Sequence, residues 1–326
     1  MGEFELIDRY FRRKSAASPR VPLGLGDDCA LLAPAAGMQL AVSSDMLLEG
    51  RHFLSTVDPR RLGHKALAVN LSDLAACGAR PLGFTLALAM PSVDTAWLEE
   101  FSMGLFALAD AQGCELVGGD TTRGPLAICI TVFGEVPPGE ALLRSGARAG
   151  DDLYASGTIG DARAALEVFR GSLQLPAALF ELARARMEQP TPRIALGQAL
   201  RGIASAAIDV SDGLLGDLRH VLRQSGVGAR IDTSLALDLL ALRQAQGAGG
   251  LPDEARQLEF VLAGGDDYEL VFTAAPSLRE AVAQAAADSG TRVTRIGRIE
   301  AEPGLRLVDG EGQAHHRRYG SFDHFA

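Results

Sequence analysis

Lysine is almost absent from this 326-residue chain. Lys14 and Lys65 are the only two, so nearly all of the 31 basic residues are arginine. Set against 41 acidic residues they leave a net charge of −10, which argues against a nucleic-acid partner and against an anionic membrane surface. No Cys-x-x-Cys pair occurs among Cys29, Cys77, Cys114 and Cys129, so neither a zinc knuckle nor a disulfide framework is indicated. Their apolar neighbourhoods predict reduced core thiols in a cytoplasmic protein. The apolar stretch around Phe84 to Met90 is far too short to cross a bilayer, and no apolar segment follows Arg12-Arg13-Lys14 as a signal peptide would require. A G-x-x-x-x-G-K-[ST] loop and a G-x-G-x-x-G fingerprint are both missing, so any nucleotide chemistry must use another scaffold.

What remains is ordinary globular composition, 47% hydrophobic and 22% charged, in a chain long enough for one large or two medium domains. One device recurs along it. Gly24-Leu25-Gly26-Asp27-Asp28, Ser44-Asp45, Ser72-Asp73, Gly118-Gly119-Asp120, Ser211-Asp212-Gly213 and Gly264-Gly265-Asp266-Asp267 all set small residues beside aspartate. Adjacent carboxylates cannot both face a core unpaired, so these segments must meet water, a cation or a partner charge.

Local patterns place them. Met38 to Ser43 reads as a strand with Asp45 at its mouth, following a short strand over Cys29 to Leu32. His52, in Glu49-Gly50-Arg51-His52-Phe53, is either a surface residue near a turn or a donor to an anionic ligand. Leu62 to Cys77 reads as a helix capped by Gly78, with Asn70 and Asp73 sharing one edge of an otherwise apolar segment. Aspartate is a poor mid-helix residue, so this edge is expected to line a site. A short strand over 115–117 leads into the loop Gly118 to Pro125, which is either a polar hairpin or a holder of metal and phosphate oxygens. The segment from Pro137 to Asp151 reads as a domain junction, dividing 1–137 from 138–326. Beyond it, Ser211 or Asp212 could serve as a helix N-cap, but that leaves Asp209 unexplained. The 244–250 stretch is expected to be a loop, and Val293 to Ile299 an edge strand. Oxygen ligands without histidine or cysteine pairs favour Mg²⁺, which in enzymes usually bridges phosphates.

Those segments, in order, resemble the thiamine-monophosphate kinase family of the aminoimidazole ribonucleotide synthetase-like superfamily. The matching stretches are Gly24 to Ala30, Ser43-Ser44-Asp45, Gly50 to Phe53, Lys65 to Ala75, Gly118 to Pro125, Arg144 to Ala147, Ile208 to Leu214, Gly264 to Leu270 and Phe322-Asp323-His324-Phe325. The resemblance implies an α/β (α+β) fold of two domains, with N-terminal strands forming a β-barrel across a homodimer. It implies transfer of the γ-phosphoryl group of ATP, a co-substrate, to thiamine monophosphate, assisted by several Mg²⁺ ions and needing no general base. By resemblance Asp28, Ser43, Asp45, Asp73, Asp120, Asp209 and Asp212 hold metal, with Asp45, Asp73 and Asp120 central to catalysis. Gly119, Asp120, Arg144 and Ser211 would contact ATP, and His52, Asp266 and Phe322 the acceptor. The family often carries glutamate where Asp266 stands and other aromatics where Phe322 stands. Two other readings compete. A selenophosphate synthetase would need a reactive cysteine near its N-terminus with a partner lysine, and Cys29 and Lys14 fit that poorly. A non-catalytic divalent-cation-binding protein would explain the aspartates but not Arg144 or the aromatic tail.

Overall fold

The computed structural model describes residues 2–13, 19–245, 250–315, 317 and 319–320, without the side chains of residues 3 and 4. The chain forms two compact units, Met1–Leu74 with Ala79–Ala141, and Ala75–Gly78 with Leu142–Ala326.

The first unit follows the order α1 (Glu3–Tyr10), β1 (Gln39–Leu48), α2 (Pro59–Ala76), β2 (Arg80–Met90), α3 (Thr95–Gln112), β3 (Glu115–Arg123) and β4 (Ala127–Val136). Its sheet has the order β1-β4-β2-β3, with β2 and β3 parallel and the other pairs antiparallel. The sheet is open, with β1 and β3 at its edges. Phe84, Leu86 and Leu88 alternate into a core shared with Leu67, Leu71, Leu98, Phe101 and Leu105. Asp94 caps α3 by accepting from the backbone N–H groups of Ala96 and Trp97, and Gly113 ends it in the left-handed region. Gly63 of α2 and Gly104 of α3 face backbone, since a methyl group on either would fall on the carbonyl oxygen of Phe101 or Arg60 respectively.

Four expectations change here. The strand expected over 38–43 extends to Leu48, so Asp45 lies inside it and not at its mouth. Residues 29–32 form only an isolated bridge between Leu31 and Leu23, because no neighbouring strand extends it. The Gly118 to Arg123 segment belongs to β3 and not to a loop. Glycine serves there because a side chain at position 119 would strike the Leu86 carbonyl. Of the four cysteines only Cys114 is buried, where desolvation pushes its thiol up, while Cys29 is exposed.

The second unit runs β5 (Asp152–Ser156), α4 (Asp161–Phe169), α5 (Ala177–Glu188), α6 (Ile194–Ala199), β6 (Ala206–Asp209), α7 (Leu214–Ser225), β7 (Gly228–Asp232), α8 (Thr233–Leu237), α9 (Ala241–Gln244), α10 (Glu254–Ala263), β8 (Leu270–Ala274), α11 (Arg279–Asp288), β9 (Val293–Glu300) and β10 (Gly304–Val308). Its six strands are ordered β10-β7-β9-β5-β8-β6. Contrary to expectation β9 is internal, paired with β5 on one side and β7 on the other, because a later strand closes the edge through β7. Four residues of the 244–250 stretch, 246–249, lie outside the described residues.

Asp161 is fully buried, and its two oxygens accept from the N–H groups of Ala241 and Leu242, capping α9 from a distant part of the chain. Burial pushes this carboxyl up to about 6, against the pull of those two donors. The folded state therefore holds a proton that the unfolded chain has released, and stability falls as pH rises from about 4 to about 6. Asp161→Asn removes that penalty. Its unfolding free energy relative to the parent should increase across this window and then level off, as read by urea denaturation at pH 4, 6 and 8.

Candidate functional site

Successive residues of a strand alternate sides, so Ser43 and Asp45 of β1 share a face. The Ser43 hydroxyl donates to Asp73 Oδ2 at 2.5 Å, and the Asp45 backbone N–H donates to Asn70 Oδ1 at 2.9 Å. Asn70 is fixed in turn by its amide group donating to the Ala66 carbonyl at 3.0 Å. The acid and amide that share an edge of α2 thus both meet β1, as their spacing predicts. Asn70, expected with Asp73 to line a site but given no role, holds the backbone of Asp45. At the end of the strand, Leu48 N–H donates to His52 Nδ1 at 3.0 Å. Accepting there requires that the imidazole carry a proton on Nε2, which makes that nitrogen a donor.

Asp120 and Asp28 stand apart from this group. Asp120 pairs with Ala87 of β2, so β4 and β2 separate its strand from Asp45, and three strand spacings amount to roughly 14 Å. Asp28 sits in an exposed bend, its N–H donating to Asp27 Oδ1. Among the described residues, no three histidine, cysteine, aspartate or glutamate side chains converge as a ready-made metal cage.

In the second unit Asp209 ends β6, and the chain turns through Ser211 and Asp212 into α7. Asp217, in the first turn of that helix, reaches back so that one oxygen, Oδ2, accepts from both Ser211 N–H and Asp212 N–H at 3.0 Å each. Burial pushes the Asp217 carboxyl up to about 7, the nearby Asp212 charge acts in the same direction, and the two N–H donors and Arg144 oppose them. At the other end of α7, Ser225 Oγ accepts from Gly146 N–H at 3.1 Å and Ala147 N–H at 3.2 Å, anchoring the loop that carries Arg144.

The Gly264-to-Leu270 segment is joined to the same turn. Asp266 N–H donates to the Ser211 carbonyl and Tyr268 N–H to the Val210 carbonyl, both at 2.8 Å. Asp266 and Tyr268 both adopt left-handed backbone, with φ of 65° and 53°, a conformation that surrounding contacts must impose on non-glycine residues. Two buried acids impose it. Asp267 Oδ1 accepts from Gly160 N–H at 2.8 Å, and burial pushes its carboxyl well up. Glu269 is fully buried and accepts from Ser156 Oγ, Arg186 Nη2 and Arg193 Nε, each at 2.6 Å. Phe322 lies outside the described residues.

Asp217 and Glu269 are the site-shaping residues that the sequence reading missed. The signal for Asp217 was present, since it lies among apolar residues of a helix just as Asp73 does. The accessible groups are carboxylates, hydroxyls, an arginine and a histidine donor. Those groups can hold a hard cation and phosphate oxygens.

Residues 26–136 match the family model for the N-terminal domain of AIR synthase related protein, and residues 148–310 the model for its C-terminal domain. The thiamine-monophosphate kinase of Salmonella typhimurium is 46% identical over 327 residues, covering 100% of this chain and 98% of its own. The crystal structure of thiamine-monophosphate kinase from Stenotrophomonas maltophilia superposes with a TM-score of 0.81 at 44% identity, covering 96% of each chain. The structure of AaThiL complexed with AMPPCP and TMP gives a TM-score of 0.73 at 29% identity, covering 99% of this chain and 97% of that one.

Removing Glu269 would leave two partly buried guanidinium groups without their shared, fully buried partner. Glu269→Ala is expected to lose about 3–5 kcal/mol of stability, read as a fall in the urea midpoint with an unchanged slope.

Proposed function

The chain belongs to the AIR synthase related family and within it to the thiamine-monophosphate kinases, and from that premise we propose that it transfers the γ-phosphoryl group of ATP to thiamine monophosphate, releasing thiamine diphosphate and ADP. The observation that carries this reading is likeness over the whole chain, accompanied by the Ser43–Asp73 and Asp45–Asn70 pairs on β1 and α2. No helix among the described residues is long and apolar enough to cross a membrane.

The attacking group is a phosphate oxygen whose second pKa is about 6, so it is largely ionised near neutrality and needs no base. The work left to the protein is to align two anions and screen their repulsion. Ser43, Asp45, Asp73 and Asp120, with Asp28, Asp209 and Asp212, would hold Mg²⁺, and the all-oxygen donor set suits that ion. When bound, Mg²⁺ supplies neutralisation of phosphate charge. Gly119, next to Asp120 on β3, would contact ATP, while Arg144 and Ser211 offer donors to the ATP phosphates. His52 Nε2–H is a donor for the acceptor phosphate, and Asp266 and Phe322 hold the thiamine portion.

A homodimer completes the proposal. Leu40, Val42 and Met46 are 48%, 56% and 54% exposed on one face of β1, large apolar side chains aligned on a single edge strand. The pairing pattern makes β1 and β3 run in the same direction at opposite edges. A two-fold axis along the strands therefore sets β3 of a second copy beside β1 of the first, and closes eight strands into a barrel. Closure would set the partner copy's β3, which carries the equivalent of Asp120, one strand spacing from Asp45 instead of three, with the pairing register placing the two side chains on opposite faces.

Two experiments test these statements. With Mg²⁺ and ATP, thiamine diphosphate should form from thiamine monophosphate and not from free thiamine, by chromatographic product analysis. Absence of product with ATP still bound would redirect the search to other acceptors. Asp45→Asn and Asp120→Asn should each lose activity by orders of magnitude. Chains of the two variants, unfolded together and refolded as mixed dimers, should recover about a quarter of the parent activity, since half the dimers regain one intact site. No recovery would assign both acids to one chain.

A further inference from the structure

We propose that Asp217 is a positioning residue for ATP, which holds the Ser211–Asp212 turn by occupying its backbone N–H groups with a built-in carboxylate. Consecutive N–H groups ahead of a helix form a concavity that commonly takes a phosphate. Here that concavity is filled, because Oδ2 of Asp217 accepts both hydrogen bonds at 3.0 Å and the residue is only 5% exposed. The ligand therefore cannot be held by these two amides, and only the side chains of Ser211 and Asp212 are left to it.

The same helix organises the other half of the nucleotide contacts. Asp217 stands in the first turn of α7, and Ser225, in its last turn, accepts from the N–H groups of Gly146 and Ala147 just after Arg144. The Asp217 carboxylate also interacts electrostatically with Arg144. One rigid helix thus sets the spacing of Ser211, Asp212 and Arg144, with Asp217 as its link to the first two. Of the proposed acceptor residues, His52 belongs to the first unit, whereas Asp266 is tied to this turn through its backbone, its N–H donating to the Ser211 carbonyl at 2.8 Å.

The inference rests on the reading that Ser211 and Arg144 contact ATP, and its test separates the two. Steady-state kinetics would be measured for Asp217→Ala, Asp217→Asn, Ser225→Ala, Ser211→Ala and Arg144→Ala, varying ATP and thiamine monophosphate in turn. Asp217→Ala frees both N–H groups and should raise KM for ATP about tenfold or more, with a clearly smaller rise in KM for thiamine monophosphate transmitted through Asp266. Asp217→Asn keeps a carbonyl oxygen able to accept both hydrogen bonds, and should restore KM for ATP to within about threefold of the parent. Should Asp217→Ala fail to fold, Ser225→Ala must by itself raise KM for ATP selectively. A raised KM for ATP in Ser211→Ala and Arg144→Ala, together with an unchanged one in Asp217→Ala, overturns the positioning role alone. Equal rises for both substrates that track a lowered melting temperature overturn it as well. Unchanged KM for ATP in Ser211→Ala and Arg144→Ala overturns the underlying reading and the inference with it.

Discussion

A carboxylate withdrawn from water has to be met by donors, and the second unit is organised around four that are. Asp161 takes two backbone N–H groups at α9, Asp217 two ahead of α7, Asp267 one at Gly160, and Glu269 two guanidinium groups and a hydroxyl. Asp161, Asp267 and Glu269 tie elements remote in sequence, Asp217 ties its helix to the turn just ahead of it, and loss of any one leaves donors without their acceptor. The candidate ligand residues are the neighbours of these tethers: Ser211 and Asp212 beside Asp217, Asp266 beside Asp267. Acids that hold the fold and acids proposed to face a ligand therefore lie along the same segments. The first kind makes the second kind stiff.

That arrangement sets what could be read from the sequence. Asn70 and Asp73 were legible as a pair because an amide and an acid three residues apart in an apolar helix share an edge whatever the tertiary context. The helix ends at Gly78 and Gly113 were legible for the same local reason. Gly118-Gly119 was misread as a loop because glycine pairs signal turns, whereas here position 119 must be bare to clear the Leu86 carbonyl. The place of β9 inside its sheet depends on β7 and β10, and no local pattern reports strand order. Which of two adjacent aspartates faces inward, as Asp267 does and Asp266 does not, was equally beyond local reasoning.

The proposed chemistry does not call for a P-loop. In the proposed reaction between two phosphates, with the nucleophile already ionised, the need is for charge screening and alignment, and carboxylates holding a hard cation would perform the first. An acidic chain with arginine as almost its only cation is consistent with that division of labour. The oxygens on β1 and α2 are spaced by hydrogen bonds to each other and to Asn70, so the site depends on secondary-structure packing more than on loop conformation.

The contact of α2 with α3 at Gly63 and Gly104 carries a consequence for how variation in this protein would be interpreted. Each glycine lies against the other helix's backbone, with no space for even one carbon atom. Any side chain there would push α2 outward and carry Asn70 and Asp73 away from β1. A saturation screen for activity would rank these two glycines beside the aspartates, although their contribution is purely steric. Intolerance to replacement would thus mark the hinge line of the helix pair as strongly as it marks the chemistry.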